Sequence, residues 1–143
     1  MIIQIIIYGM LIAYTKMKWG IQMSKKILAV DDDNDILEVI RIILEEEGYE
    51  VFTLANGKYI FDEVEQNDPD LILLDVMLGG LDGRDICRAL KEHDTFKKIP
   101  VVMISASHNL NNLLLMPGAP DNFLAKPFDI DRLVEMVKAQ LVA

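Results

Sequence analysis

Across residues 25–141, short apolar runs alternate with stretches whose apolar residues recur at helical spacing, and that alternation restricts the architectures open to this chain. Ile27-Leu28-Ala29-Val30 is an apolar run that ends in three aspartates. Ile36, Leu37, Val39, Ile40, Ile43 and Leu44 follow at helical spacing, and Gly48 closes that segment. Residues 49–54 alternate as a strand, and 58–66 put Ile60, Phe61 and Val64 on one helical face. Leu71-Ile72-Leu73-Leu74 is continuously apolar, as a central parallel strand covered on both sides must be. Gly79-Gly80 marks a loop, and Ile86, Cys87, Ala89 and Leu90 form the apolar side of a third helix. Pro100 opens a strand over 101–104. Residues 109–116 predict a short fourth helix ended by Pro117-Gly118. Phe123-Leu124-Ala125 is a last short strand, and Ile130, Leu133, Val134, Val137 and Leu141 an amphipathic last helix. Five βα units in a row imply an α/β domain with a parallel sheet, helices on both faces and right-handed crossovers.

The chain has 143 residues, enough for one domain with a real core. Its net charge of −9 argues against a nucleic-acid-binding surface, which needs clustered Lys and Arg. The single cysteine, Cys87, excludes a disulfide framework and a cysteine-rich zinc site, and on an apolar helical face it reads as a buried structural thiol. Together these describe a soluble, acidic domain from a reducing compartment.

The charge is unevenly placed. Residues 1–23 carry Lys16 and Lys18 and no acid, which leaves 12 basic and 23 acidic residues, a net of −11, for 24–143. Residues 1–14 are apolar except for Gln4 and Gly9, yet shorter than the 18–20 or so residues of a transmembrane helix. They also lack the positive start and small-residue cleavage site of a secretory signal. Three readings of residues 1–23 stand side by side. They form an upstream extension outside a working domain at 24–143, with Met23-Ser24-Lys25-Lys26 resembling a natural start. Alternatively, residues 1–14 form a marginal membrane anchor, with Lys16, Lys18, Lys25 and Lys26 keeping the rest cytoplasmic. Or they add a strand or helix packed on a neighbour.

Ligands of open α/β sheets bind outside the carboxyl ends of the strands, so the residues closing each strand carry the chemistry. The first strand closes in Asp31-Asp32-Asp33, the third in Asp75, the fourth in Ser105 and the fifth in Lys126-Pro127. Clustered carboxylates raise one another's pKa, and a divalent cation removes the conflict. Hard oxygen ligands with open positions suit Mg²⁺. Mg²⁺ and an ammonium beside one carboxylate make a site for a phosphoryl group, and a carboxylate can itself be the nucleophile, forming an acyl phosphate. A calcium loop starting at Asp31 fails, because its sixth position needs Gly and holds Ile36. Asp33 or Asn34 reads as a helix cap. His93 and His108 are isolated and read as solvated loop residues.

Four segments in order, 27–33 (ILAVDDD), 70–83 (DLILLDVMLGGLDG), 101–106 (VVMISA) and 123–128 (FLAKPF), resemble the receiver domain of two-component response regulators. The resemblance runs from about residue 25 to residue 141. It implies a flavodoxin-like (βα)5 sheet of order 2-1-3-4-5 and a cytoplasmic, bacterial, stand-alone phosphoacceptor. Asp75 matches the phosphoacceptor. Asp31 and Asp32 match the acidic pair holding Mg²⁺, and the backbone carbonyl of Met77 the third protein ligand. Lys126 matches the lysine on the phosphoryl oxygens, Ser105 the switch hydroxyl and Phe123 its aromatic partner. Lys126-Pro127 matches a bond that is usually cis in the family. The implied partners are a sensor histidine kinase or histidine phosphotransfer protein upstream and a protein partner downstream, with no nucleic acid. Met77 and Ser107 would flank the path of an attacking water, and neither is a strong base, so unassisted loss of the phosphoryl group is expected to be slow.

Two other functions compete. A receiver-like binding module that is never phosphorylated would be expected to have lost an acid or the lysine, and all are present. An aspartyl phosphatase would carry a second aspartate two residues after the nucleophile, where Met77 stands. Two departures from the family pattern are visible. Gly79 occupies a position usually held by proline, which predicts a more mobile loop. The segment 109–116 is short and uncharged, which predicts an irregular fourth helix with Leu113, Leu114, Leu115 and Met116 partly exposed, as on a protein-binding surface.

Overall fold

The computed structural model describes residues 1–20, 23–106 and 113–142. Strands β1 (Lys26–Val30), β2 (Glu50–Leu54), β3 (Leu71–Asp75), β4 (Val101–Ser105) and β5 (Asn122–Ala125) form one parallel sheet of order β2-β1-β3-β4-β5. The helices are α1 (Ile2–Lys18), α2 (Asn34–Glu46), α3 (Ile60–Asn67), α4 (Gly83–Glu92) and α5 (Ile130–Leu141).

Pleating divides the sheet into two cores. Ile27, Ala29, Leu71, Leu73, Val102, Ile104 and Leu124 face α2 and α5, while Leu28, Val30, Ile72, Leu74, Val101 and Met103 face α3 and α4. This is why the run at 71–74 could be apolar throughout: each of its residues is at most 1% exposed. Each such side chain contributes roughly 1.5–3 kcal/mol of burial. The register pairs Val30 with Leu74, Asp75 with Ile104 and Ser105 with Ala125. The residues that close these strands are therefore gathered on one rim.

Four helical readings shift. Val39 and Ala89 are exposed, because each lies about 200° around its helix from a buried residue two positions earlier, Leu37 and Cys87. Ile130 is 60% exposed as the first residue of α5, and Met136 takes a core place instead. The helix expected from residue 58 is preceded by a 3₁₀ turn over Gly57–Tyr59. Asp33 caps α2, accepting from the Asp35 and Ile36 amides.

Most of the expected fourth helix, like His108 and Ser107, lies outside the described residues. Its end is a 3₁₀ turn, Leu113–Leu115, with Leu114, Leu115 and Met116 exposed. Helix α1 buries none of its residues. Among the described residues, no helix is long and apolar enough to cross a membrane.

Candidate functional site

Four of the expected residues meet at the carboxyl rim. Asp31, Asp32 and Asp75 each offer a carboxylate oxygen, and these atoms all lie within 4.8 Å of one another. Asp31 and Asp75 are buried, and Asp32 is exposed at the mouth. Lys126, reaching across from the end of β5, donates to Asp31 Oδ2 at 2.9 Å and to Asp75 Oδ2 at 3.3 Å. The Asp33 amide donates to Asp31 Oδ1 at 2.9 Å, and the Met77 amide to Asp75 Oδ1 at 3.4 Å. The Lys126–Pro127 peptide is cis.

The electrostatics are unbalanced. Burial first, and then the charge of Asp31, push the Asp75 carboxyl above its ordinary range, against the pull of Lys126 and the Met77 amide. Burial draws Lys126 down, but the hydrogen bond and charge of Asp31, together with Asp75, outweigh it and hold the ammonium above its ordinary value. Three carboxylates against one ammonium leave two negative charges uncompensated. A hard divalent cation fits both that charge and the all-oxygen donor set.

An open cleft of about 870 Å³ lies over these groups, lined by Asp32, Asp75, Ser105, Ala106 and Lys126. Ser105 is buried and lies one residue beyond the Asp75–Ile104 pairing. Phe123 is half-buried against the α3/α4-side core, whose β4 residues Val101 and Met103 alternate onto the face that Ser105 shares.

The far wall of the cleft is a feature the sequence reading missed. The segment expected as a mobile loop is an antiparallel hairpin in which Met77 pairs with Asp82 and Leu78 with Leu81. Gly79 and Gly80 have φ of +50° and +93°, the positive values that a two-residue hairpin turn requires and glycine supplies without strain. Gly-Gly flanked by apolar residues was the available signal. Gly83 then passes so close to β3 that an added Cβ would sit 2.0 Å from the Asp75 carbonyl oxygen. Arg84, also on the cleft, is held by Asp82 at 2.6 Å. A second, largely apolar cavity of about 490 Å³ shares Lys126 and is bounded by Ile36, Val39 and Phe128.

The sequence profile of the response regulator receiver domain matches residues 27–138. The chain belongs to the response regulator receiver family. Its fold is similar to that of a protein assigned as a response regulator from Chloroflexus aurantiacus J-10-fl, at 32% identity and a TM-score of 0.76, over 83% of this chain and 98% of that one. It is equally similar in fold to the chemotaxis response regulator CheY4 of Vibrio cholerae, at 25% identity and a TM-score of 0.76, over 83% of this chain and all of that one. NtrX from Brucella abortus matches at 32% identity and a TM-score of 0.74 over 83% of this chain but only 27% of its own length. Receivers as a family are signalling phosphoacceptors that typically bind Mg²⁺ at an acidic pocket and interact with histidine kinases or phosphotransfer proteins. The receiver described here has such a pocket in Asp31, Asp32 and Asp75.

Proposed function

We propose that this receiver is a Mg²⁺-dependent phosphoacceptor, with Asp75 as the residue phosphorylated by a sensor histidine kinase or a histidine phosphotransfer protein. The observation that carries this reading is the single ammonium of Lys126 spanning two buried carboxylates beside a third. Asp31, Asp32, Asp75 and the Met77 carbonyl would hold Mg²⁺, which when bound offsets the charge of the carboxylates and of the incoming phosphoryl oxygens.

The rest follows from the chain's own groups. A carboxylate oxygen of Asp75 attacks phosphorus, the bond from phosphorus to the donor nitrogen breaks, and that nitrogen keeps the electron pair and is protonated. Lys126 leaves Asp75 for a phosphoryl oxygen, while Asp31 keeps it oriented. Ser105 donates its hydroxyl to another phosphoryl oxygen, and the space it vacates admits the Phe123 ring. The face around β5 then carries the change to a protein partner. Residues 24–143 form the signalling unit of a single-domain, cytoplasmic, bacterial regulator, and residues 1–23 lie outside it. Both cores are built from residues 27–141, which supports that division.

Intact-protein mass after incubation with acetyl phosphate and Mg²⁺ tests the reading. One phosphoryl adduct is expected in the wild type, and none in Asp75→Asn or with the metal chelated. Absence of the adduct in folded protein would refute it and favour the constitutive binding module.

A further inference from the structure

Helix α1 exposes large apolar side chains to water along its length. It has 17 residues, none of them buried, and at about 1.5 Å per residue it is roughly 25 Å long. Ile2, Ile3, Ile5, Ile7, Tyr8 and Leu11 are each at least 55% exposed. At about 100° per residue these six positions point to every side of the helix. A partner helix or a second copy of the chain would cover one face and leave the others wet. A hydrocarbon phase covers all of them, and a helix apolar all round belongs in one or in a protein core.

Charge selects the kind of phase. The last turn carries Lys16 and Lys18, and residues 1–23 hold no acid, while the remainder of the chain has a net of −11. An anionic lipid surface therefore attracts the end of α1 and repels the receiver. Trp19, 75% exposed, and Tyr14 stand beside those lysines, with Lys18 Nζ 6.0 Å from the centre of the Tyr14 ring. Amphipathic rings with lysines form the belt found at the headgroup level. The polar hydroxyl of Thr15 is satisfied within the helix, donating to the Ile12 carbonyl at 2.9 Å. The helix is shorter than the roughly 30 Å hydrocarbon core.

We propose that α1 enters the hydrocarbon of an anionic bilayer obliquely, steeply tilted and without crossing it, with Lys16, Lys18 and Trp19 at the headgroups and the receiver held in the water beyond. This holds the receiver near the membrane surface and does not depend on Asp75 being phosphorylated.

Trp19 is the only tryptophan in the chain, so its emission is a native depth probe. The full chain, taken from detergent into vesicles of phosphatidylcholine with phosphatidylglycerol, is expected to float with the lipid. Its emission should shift to the blue and be quenched by lipids brominated near the headgroup. Ile6→Glu with Leu11→Glu should stay in the aqueous fraction, with its phosphorylation by acetyl phosphate unchanged. Lys16→Gln with Lys18→Gln should lose roughly thirtyfold in binding to anionic vesicles and little to neutral ones. Wild-type protein that stays out of the lipid with unshifted emission overturns the proposal. So does aggregation that vesicles fail to relieve, or a defined oligomer that excludes them, which would assign α1 to a second copy.

Discussion

Replacing Lys126 by Met keeps the aliphatic stem and removes the charge that holds the acidic pocket together. At an effective dielectric near 20, the contacts at 2.9 and 3.3 Å each represent about 5 kcal/mol of gross Coulomb attraction. Most of that offsets the desolvation of an ammonium whose side chain is only 19% exposed. What remains on breaking such a pair is about 3–5 kcal/mol, because two buried carboxylates are then left to repel each other. Urea unfolding at neutral pH with a chelator present should show a loss of about 3 kcal/mol, or roughly 10 °C in a melt. Lys126 sits above its ordinary value of 10.5, so the stabilisation is complete below that pH and is lost as pH rises through the raised value. Acid should also close the gap, because the carboxylates that Lys126 neutralises become protonated. Mg²⁺ should restore the variant more than it helps the wild type, since no ammonium then competes for Asp31 and Asp75. A variant within about 0.5 kcal/mol of wild type in chelator, the range of an ordinary surface substitution, would refute this account of the pocket.

Asp75→Asn should raise the melting temperature in chelator at neutral pH. Burial and Asp31 hold Asp75 above its ordinary 3.8, so the native state binds its proton more tightly than the unfolded state does. The wild type therefore loses stability as pH rises from 3.8 through the raised value, and the advantage of Asn should vanish in melts below that window. Gly83→Ala should cost about 3 kcal/mol or more in urea unfolding, because its methyl would meet the Asp75 carbonyl at 2.0 Å and backbone would have to move. The Cys87 thiol, pushed up to about 11 by burial, should resist alkylation near neutral pH in the native state and react only as the protein unfolds, read by mass.

The parts of the fold legible in the sequence are those where one period or one strand end leaves a single arrangement. The run at 71–74 could only be a strand covered on both faces, and Asp31, Asp75 and Lys126 could then only fall on one rim. The helical stripes were legible less sharply. Val39 and Ala89 fit an apolar count but sit off the buried stripe, which is fixed by where the sheet lies and not by composition. The hairpin at 77–82 was missed because a Gly-Gly pair is compatible with a loose loop as well as a tight turn. The choice was made by backbone pairing of Met77 with Asp82, which leaves no trace in hydropathy. The salt bridge from Asp82 to Arg84 is local to the start of α4, where Asp82 caps the helix by accepting from the Arg84 amide.

That hairpin also bears on how the receiver can diversify. Its tip is bare backbone in a left-handed conformation at Gly79 and Gly80, where any side chain would be strained. A side chain at either tip position is therefore strained in this turn, least so for Asn or Asp, and the nearby Gly83 is closed by the Asp75 carbonyl. Met77, 76% exposed, and Leu81, 43% exposed, flank the tip under no such restriction. The rim beside Asp75 thus has a backbone shape set by glycines and a side-chain surface set by Met77 and Leu81, so its chemistry can change without its shape changing.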